Sequence, residues 1–166
     1  MLAQLTDRQI KALLEEPKPL PPNLEARLTP RPKRGHKERD LELTGAAGSE
    51  FKLTLRESLH NRLDFSVILF YRPSGSGTWL RIRRYNGKSH EHSNKMERER
   101  FYDFHIHTAT ERYMARDGER EDAFATVTDR YGDFQGALDC MLRDCRFETP
   151  PNPQLALFGD PDLRGA

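Results

Sequence analysis

Apolar and polar residues change rhythm several times along this chain, and each rhythm predicts an element. Near the start, Leu5, Ile10, Leu13 and Leu14 recur at helical spacing, with Thr6 and Gln9 placed to form a capping box. A Thr hydroxyl accepting from a backbone N–H while a Gln amide reaches back predicts a short amphipathic helix, which Pro17 ends. Six prolines lie between Pro17 and Pro32. So many missing backbone donors predict an extended linker, which runs into the basic stretch RPKRGHKERD. From Leu41 the period becomes two. Leu41 and Leu43, then Phe51, Leu53 and Leu55, flank a glycine turn and predict a hairpin with one buried face. DFSVILFYRP is apolar on both faces, as a central strand is. TWLRIRRY alternates again, and RFYDFHIHT places Tyr102, Phe104 and Ile106 opposite Asp103, His105 and His107. Last, Phe134, Leu138, Met141, Leu142 and Cys145 form one face of a helix for which Asp133 is the N-cap.

The fold expected is therefore α+β: an antiparallel sheet of about five strands with a C-terminal helix packed on one face, a short N-terminal helix and a flexible tail. The divisions are 1–16 for the helix, 17–40 for the Pro-rich basic linker, 41–148 for the α+β domain and 149–166 for the tail.

Charge changes the picture little. With 27 basic and 26 acidic residues among 166, no global field points to nucleic acid, and any basic surface is local. The candidates are Arg31, Lys33 and Arg34 in the linker, and Arg81, Arg83 and Arg84 on the RIRRY strand. Two cysteines, Cys140 and Cys145, form no CxxC pair and no disulfide framework, which fits a reducing cytoplasm. No signal peptide or membrane-spanning run is expected, so no membrane partner. Phosphate-loop, nucleophile-elbow and paired-cysteine zinc signatures are absent from the sequence.

Histidine changes the picture more. Four of the six histidines fall within SHEHSNKMERERFYDFHIHT as two His-x-His pairs: His90 and His92, His105 and His107. Alternation puts His105 and His107 on one face of a strand, and a hairpin joining the two segments would bring all four together, which the sequence alone leaves open. Three readings are open. The four can perform acid–base catalysis beside phosphate-holding arginines. They can ligate zinc or another first-row metal ion, with Glu97 as a cupin-like addition, although Arg98 and Arg100 oppose a cation. Or they decorate a half-exposed face. No cofactor is favoured, with zinc or another first-row metal ion as the alternative.

GKSHEH followed by an aromatic strand, RYGDF and an Ala/Leu helix resembles small bacterial toxins of toxin–antitoxin modules, the TumE-like family and related small proteins, over residues 78–147. That resemblance carries over His90 and His92. Ser89 and Glu91 depart from the Asp and Arg of its pattern, and FHIHT is an addition. It implies a growth-inhibiting, nucleic-acid-directed protein of ribonuclease type, acting on RNA or DNA and neutralised by an antitoxin partner.

QLALF in the tail resembles the peptide by which bacterial replication and repair proteins bind the DNA sliding clamp. Gln154, Leu155, Leu157 and Phe158 match its specified positions, behind a proline spacer. The alternative it implies is a non-enzymatic adaptor recruited to the clamp.

Overall fold

The computed structural model describes residues 4–149. In chain order these form α1 (Asp7–Glu15), β1 (Lys18–Pro19), α2 (Leu24–Arg27), β2 (Thr29–Lys33), β3 (His36–Thr44), β4 (Glu50–Ser58), β5 (Phe65–Arg72), β6 (Leu80–Asn86), β7 (His92–Asn94), β8 (Glu99–Phe101), β9 (His105–Thr108), α3 (Glu111–Met114), β10 (Ala125–Val127), α4 (Phe134–Asp144) and β11 (Phe147–Glu148).

One antiparallel sheet of seven strands, in the order β10-β9-β6-β5-β4-β3-β2, organises the molecule. The five expected strands are its middle. The two additions are its edges, and one of them corrects the linker reading of residues 17–40. β2 lies in that stretch and pairs Pro30 with Arg39 and Pro32 with Lys37. Proline removes a donor only from the side that has no neighbour, so an edge strand tolerates it where a central strand does not. Most of β3 also precedes Leu41, so the sheet begins twelve residues before the expected start of the domain. A second correction concerns RFYDFHIHT, which divides into β8 and β9. Tyr102 falls between them and is exposed.

The two faces of the sheet differ in kind. One is the core. Leu41, Leu53, Leu55, Val67, Leu69, Ile82 and Tyr85 are buried there against Ala137, Leu138 and Met141 of α4 and Ile10, Leu13 and Leu14 of α1. Both helices start as their sequence dictates. Thr6 and Gln9 close the capping box, and the Asp133 carboxylate accepts from the Gly136 N–H. Cys140 and Cys145 are core residues of this layer, and burial pushes the Cys145 thiol up to about 11.

Beneath α1 lies an unusual fastening. Lys18 is buried, and its Nζ donates to the carbonyls of Leu13, Leu14, Glu16 and Cys145 at 2.8–3.1 Å. A helix leaves its last carbonyls without partners, and here one ammonium collects them and ties α1 to the end of α4. The Phe51 ring lies 4.6 Å from the same nitrogen.

The other face carries no helix. By register it presents Lys52, Thr54 and Arg56 of β4, Ser66, Ile68 and Phe70 of β5, Arg84 and Asn86 of β6, and His105 and His107 of β9. It is largely polar, and the candidate histidines gather at its β9 end.

Candidate metal centre

Strict alternation along β9 sends Ile106 toward the core and His105 and His107 to the opposite face. The neighbouring strands fix what stands beside each: Asn86 and Val127 flank His105, and Arg84 and Ala125 flank His107. The chain leaving β6 turns at Gly87, where a Cβ would stand 2.0 Å from the Leu63 carbonyl oxygen, so only glycine permits the close approach. Beyond this turn, the β7–β8 hairpin folds back over β9. His92 thereby meets His105 and His107, with ring centroids 5.2 and 4.8 Å away, while His105 and His107 are 5.0 Å apart. His90 is 5.8 Å from His105 but exposed. All four histidines converge, and three of them form a closer set. His92, His105 and His107 each offer a ring nitrogen, and these nitrogens lie within 4.8 Å of one another.

Hydrogen bonds settle how the rings are held. His105 Nδ1 is 2.7 Å from the Asp103 carbonyl, and His107 Nδ1 is 2.6 Å from the Asp122 carbonyl. A carbonyl only accepts, so both rings donate from Nδ1 and carry their lone pair on Nε2. The His107 Nε2 is buried with no hydrogen-bond partner. For His92 the orienting group is Asn94. Its amide donates to the Ala125 carbonyl at 2.7 Å and accepts from the Ala125 N–H at 2.9 Å, which fixes the side chain. The same Oδ1 takes the His92 Nε2–H at 2.8 Å, leaving Nδ1 with the lone pair. A tetrahedral zinc ion at about 2.0–2.1 Å from each nitrogen spaces its ligands about 3.4 Å apart, so the trio needs to contract by about 1.4 Å at most.

Electrostatics keep these rings neutral. Burial lowers His105 to about 4, helped by its histidine neighbours and opposed by the Asp103 carbonyl. Burial pushes His107 far down, with Arg84 adding to the effect, and His92 is lowered for the same first reason. Neutral imidazole is the form that ligates a metal. It is not the form that donates a proton, so His105 and His107 lack the imidazolium that acid–base catalysis requires of one partner.

Arg84 faces the trio and is itself largely shielded from solvent. Its Nε donates to Asp122 Oδ2 at 2.9 Å, and the Asp122 side chain is fully buried. One residue therefore does two things: its carbonyl orients His107, and its carboxylate neutralises the guanidinium beside it. Asp122 Oδ1 has no hydrogen-bond partner, and Arg120 Nε is 3.7 Å from it.

The remaining candidates separate. Arg81 joins Arg84 on the open face, but Arg83 does not. A bulge in β6 opposite Leu69 and Phe70 shifts the alternation, so Arg83 donates to the Tyr85 hydroxyl on the core side. Arg31 donates to Asp40 at 3.1 Å on β2, and β2 is five strands from β9, or about 24 Å at normal spacing. Lys33 ends that same strand and Arg34 follows it, both exposed, so none of the three belongs to the histidine site. Glu97 is not a ligand either, because Arg112 and the Tyr113 hydroxyl take its carboxylate. Gln154, Leu155, Leu157 and Phe158 lie outside the described residues. Sequence reasoning missed Asn94 and Asp122. Each acts through contacts distant in sequence, and the only available signal was that both are short polar residues near the histidines or a strand start.

No helix among the described residues is long and apolar enough to cross a membrane. Comparison with protein-family models, curated proteins and solved structures gave no match.

Proposed function

We propose that this chain is a metalloprotein in which His92, His105 and His107 hold one first-row divalent ion, zinc first among them, for catalysis at the open face of the sheet. The observation that carries this reading is the convergence of three ring nitrogens within 4.8 Å, one of them buried without any other partner. Burying an acceptor unsatisfied costs about 1–3 kcal/mol, a cost that a ligand at that nitrogen removes. Carbonyl and amide groups that pin the far side of each ring are the usual outer support of histidine ligands. Three protein nitrogens leave the fourth position of a tetrahedral ion open, the pattern of catalytic rather than structural zinc. Such an ion supplies Lewis acidity for hydrolytic chemistry.

The test is metal content after dialysis against zinc. The expected result is one ion per chain, lost in His92→Ala and in His107→Gln, and intense visible absorption when cobalt replaces zinc. Natively folded wild-type protein that retains no ion would remove the reading.

A toxin-type nuclease working by proton transfer is the second reading. One observation favours it: His90 is exposed and lines a cavity together with Arg56, Arg81, Arg84 and Arg120. RNA cleavage that survives chelation and disappears in His90→Ala would select this reading over the first.

A further inference from the structure

Beside the histidine trio the open face sinks into a cavity of about 380 Å³, lined in part by Arg84, Asn86 and His90, which adjoin His107 and His105. Its charge is one-sided. Arg56, Arg81, Arg84 and Arg120 line it against a single lining carboxylate, Asp64. Asp64 is already engaged by Arg56 at 3.2 Å and lies 3.6 Å from His36, and Asp122 answers Arg84. Two guanidinium groups are then left with little or no compensation. Arg120 has only the 3.7 Å approach to Asp122 and is half exposed. Arg81 forms no salt bridge among the described residues and instead lies over the Phe70 ring at 5.4 Å. A carboxylate partner would position Arg81 and cancel its charge, whereas an aromatic face positions it and leaves the charge available.

We infer that this cavity is a phosphate subsite, and that the substrate of the adjoining centre is a phosphate ester. The inference rests on the metal reading only for what happens to the ester. The subsite itself stands on the arginines. A single carboxylate is satisfied by one guanidinium fork. The two uncompensated forks, arriving from β6 and from the segment before β10, match a tetrahedral anion that offers several oxygens. The volume suits a ligand of nucleotide size, with the phosphate against Arg81 and Arg120 and its ester bond directed toward His105 and His107.

Zinc-loaded full-length protein is titrated with a fluorescent nucleoside monophosphate, with a short single-stranded oligonucleotide and with malonate as a dicarboxylate. Binding of a phosphate ester is expected, weakened at least tenfold in Arg81→Gln/Arg120→Gln while zinc content stays at the wild-type level. Arg8→Gln/Lys11→Gln, which removes the same charge from the exposed side of α1, is expected to leave binding unchanged. Tighter binding of the oligonucleotide assigns the ester to a polymer, and tighter binding of the monophosphate assigns it to a free nucleotide. Equal affinity in wild type and the cavity variant, or tighter binding of malonate than of either ester, overturns the subsite. Arginine-dependent ester binding by a protein that holds no zinc leaves the subsite standing and removes the metal centre.

Discussion

Two places in this molecule bury polar side chains against one sheet, and they treat them in opposite ways. Under α1, Lys18 has more carbonyl acceptors than it has N–H bonds, and the cluster is closed. Across the sheet, His107 and Asp122 each keep a buried acceptor without a hydrogen-bond partner, whereas the other unpartnered buried atoms among the described residues, Nε of Arg39 and of Arg83, are donors. Buried polar groups in folded proteins are overwhelmingly paired, because an unpaired one forfeits its hydration without return. The first arrangement is what stability alone produces. The second is paired on the sides that hold the residues in place and open where a ligand can act. Burial does not separate the two places; the unfilled lone pair does.

The largest effect that would test this contrast is on the closed side. Lys18→Met is expected to leave four carbonyls short of a donor in the core and to cost about 3–5 kcal/mol. Urea denaturation measures it, and zinc bound per folded chain is expected to be unchanged. A loss under about 1 kcal/mol would mean that water replaces the ammonium and that the cluster is less closed than its geometry. The pH dependence is informative as well. Burial lowers Lys18 from 10.5 to about 8, so between these values the unfolded chain binds the proton that the folded chain has released. Stability is then expected to rise with pH across that window in the wild type relative to Lys18→Met.

On the open side, the metal-free protein is expected to lose stability in mild acid. His105 falls from 6.5 to about 4 on folding, and His107 is shifted in the same direction. Each depressed histidine takes up a proton on unfolding below about pH 6.5, so stability falls as pH drops from there toward 4. The slope is about 1.4 kcal/mol per pH unit for each fully coupled ring. Thermal unfolding of chelated protein at pH 7 and pH 5 reads it directly. A flat profile in that range would show that the rings are hydrated, and the open nitrogen of His107 would then need no ligand.

How much of this contrast the sequence carried depends on the distance over which each feature is determined. Period-two alternation made the common face of His105 and His107 legible, and the spacing of the two His-x-His pairs made a returning hairpin legible. β2 was not, because Pro30 and Pro32 have the same composition in a linker and in an edge strand; only the absence of a neighbour on one side distinguishes them. Arg83 and Arg84 exchanged faces through a bulge that needs β5 to define it. Asn94 and Asp122 lie deepest in this class. Asn94 is held by Ala125, 31 residues away, and Asp122 answers Arg84, 38 residues away. Nothing local sets either contact.

Asn94 also supplies the smallest and sharpest of these tests. Three of the four hydrogen-bonding positions of its amide are used: two bonds to Ala125 hold it, and the remaining oxygen lone pair orients His92. Like Asp122, it is a place where the closed kind of polar packing supports the open kind. Asn94→Ala frees the His92 ring without touching any proposed ligand, and loss of such outer support lowers metal affinity by about 10–100-fold. Competition with a chromophoric chelator measures the change, and circular dichroism confirms that the hairpin and sheet persist. An affinity equal to wild type in a folded variant would place His92 outside the ligand set. Two nitrogens on β9 would then remain, too few for a closed site, and the exposed His90 would be the natural third.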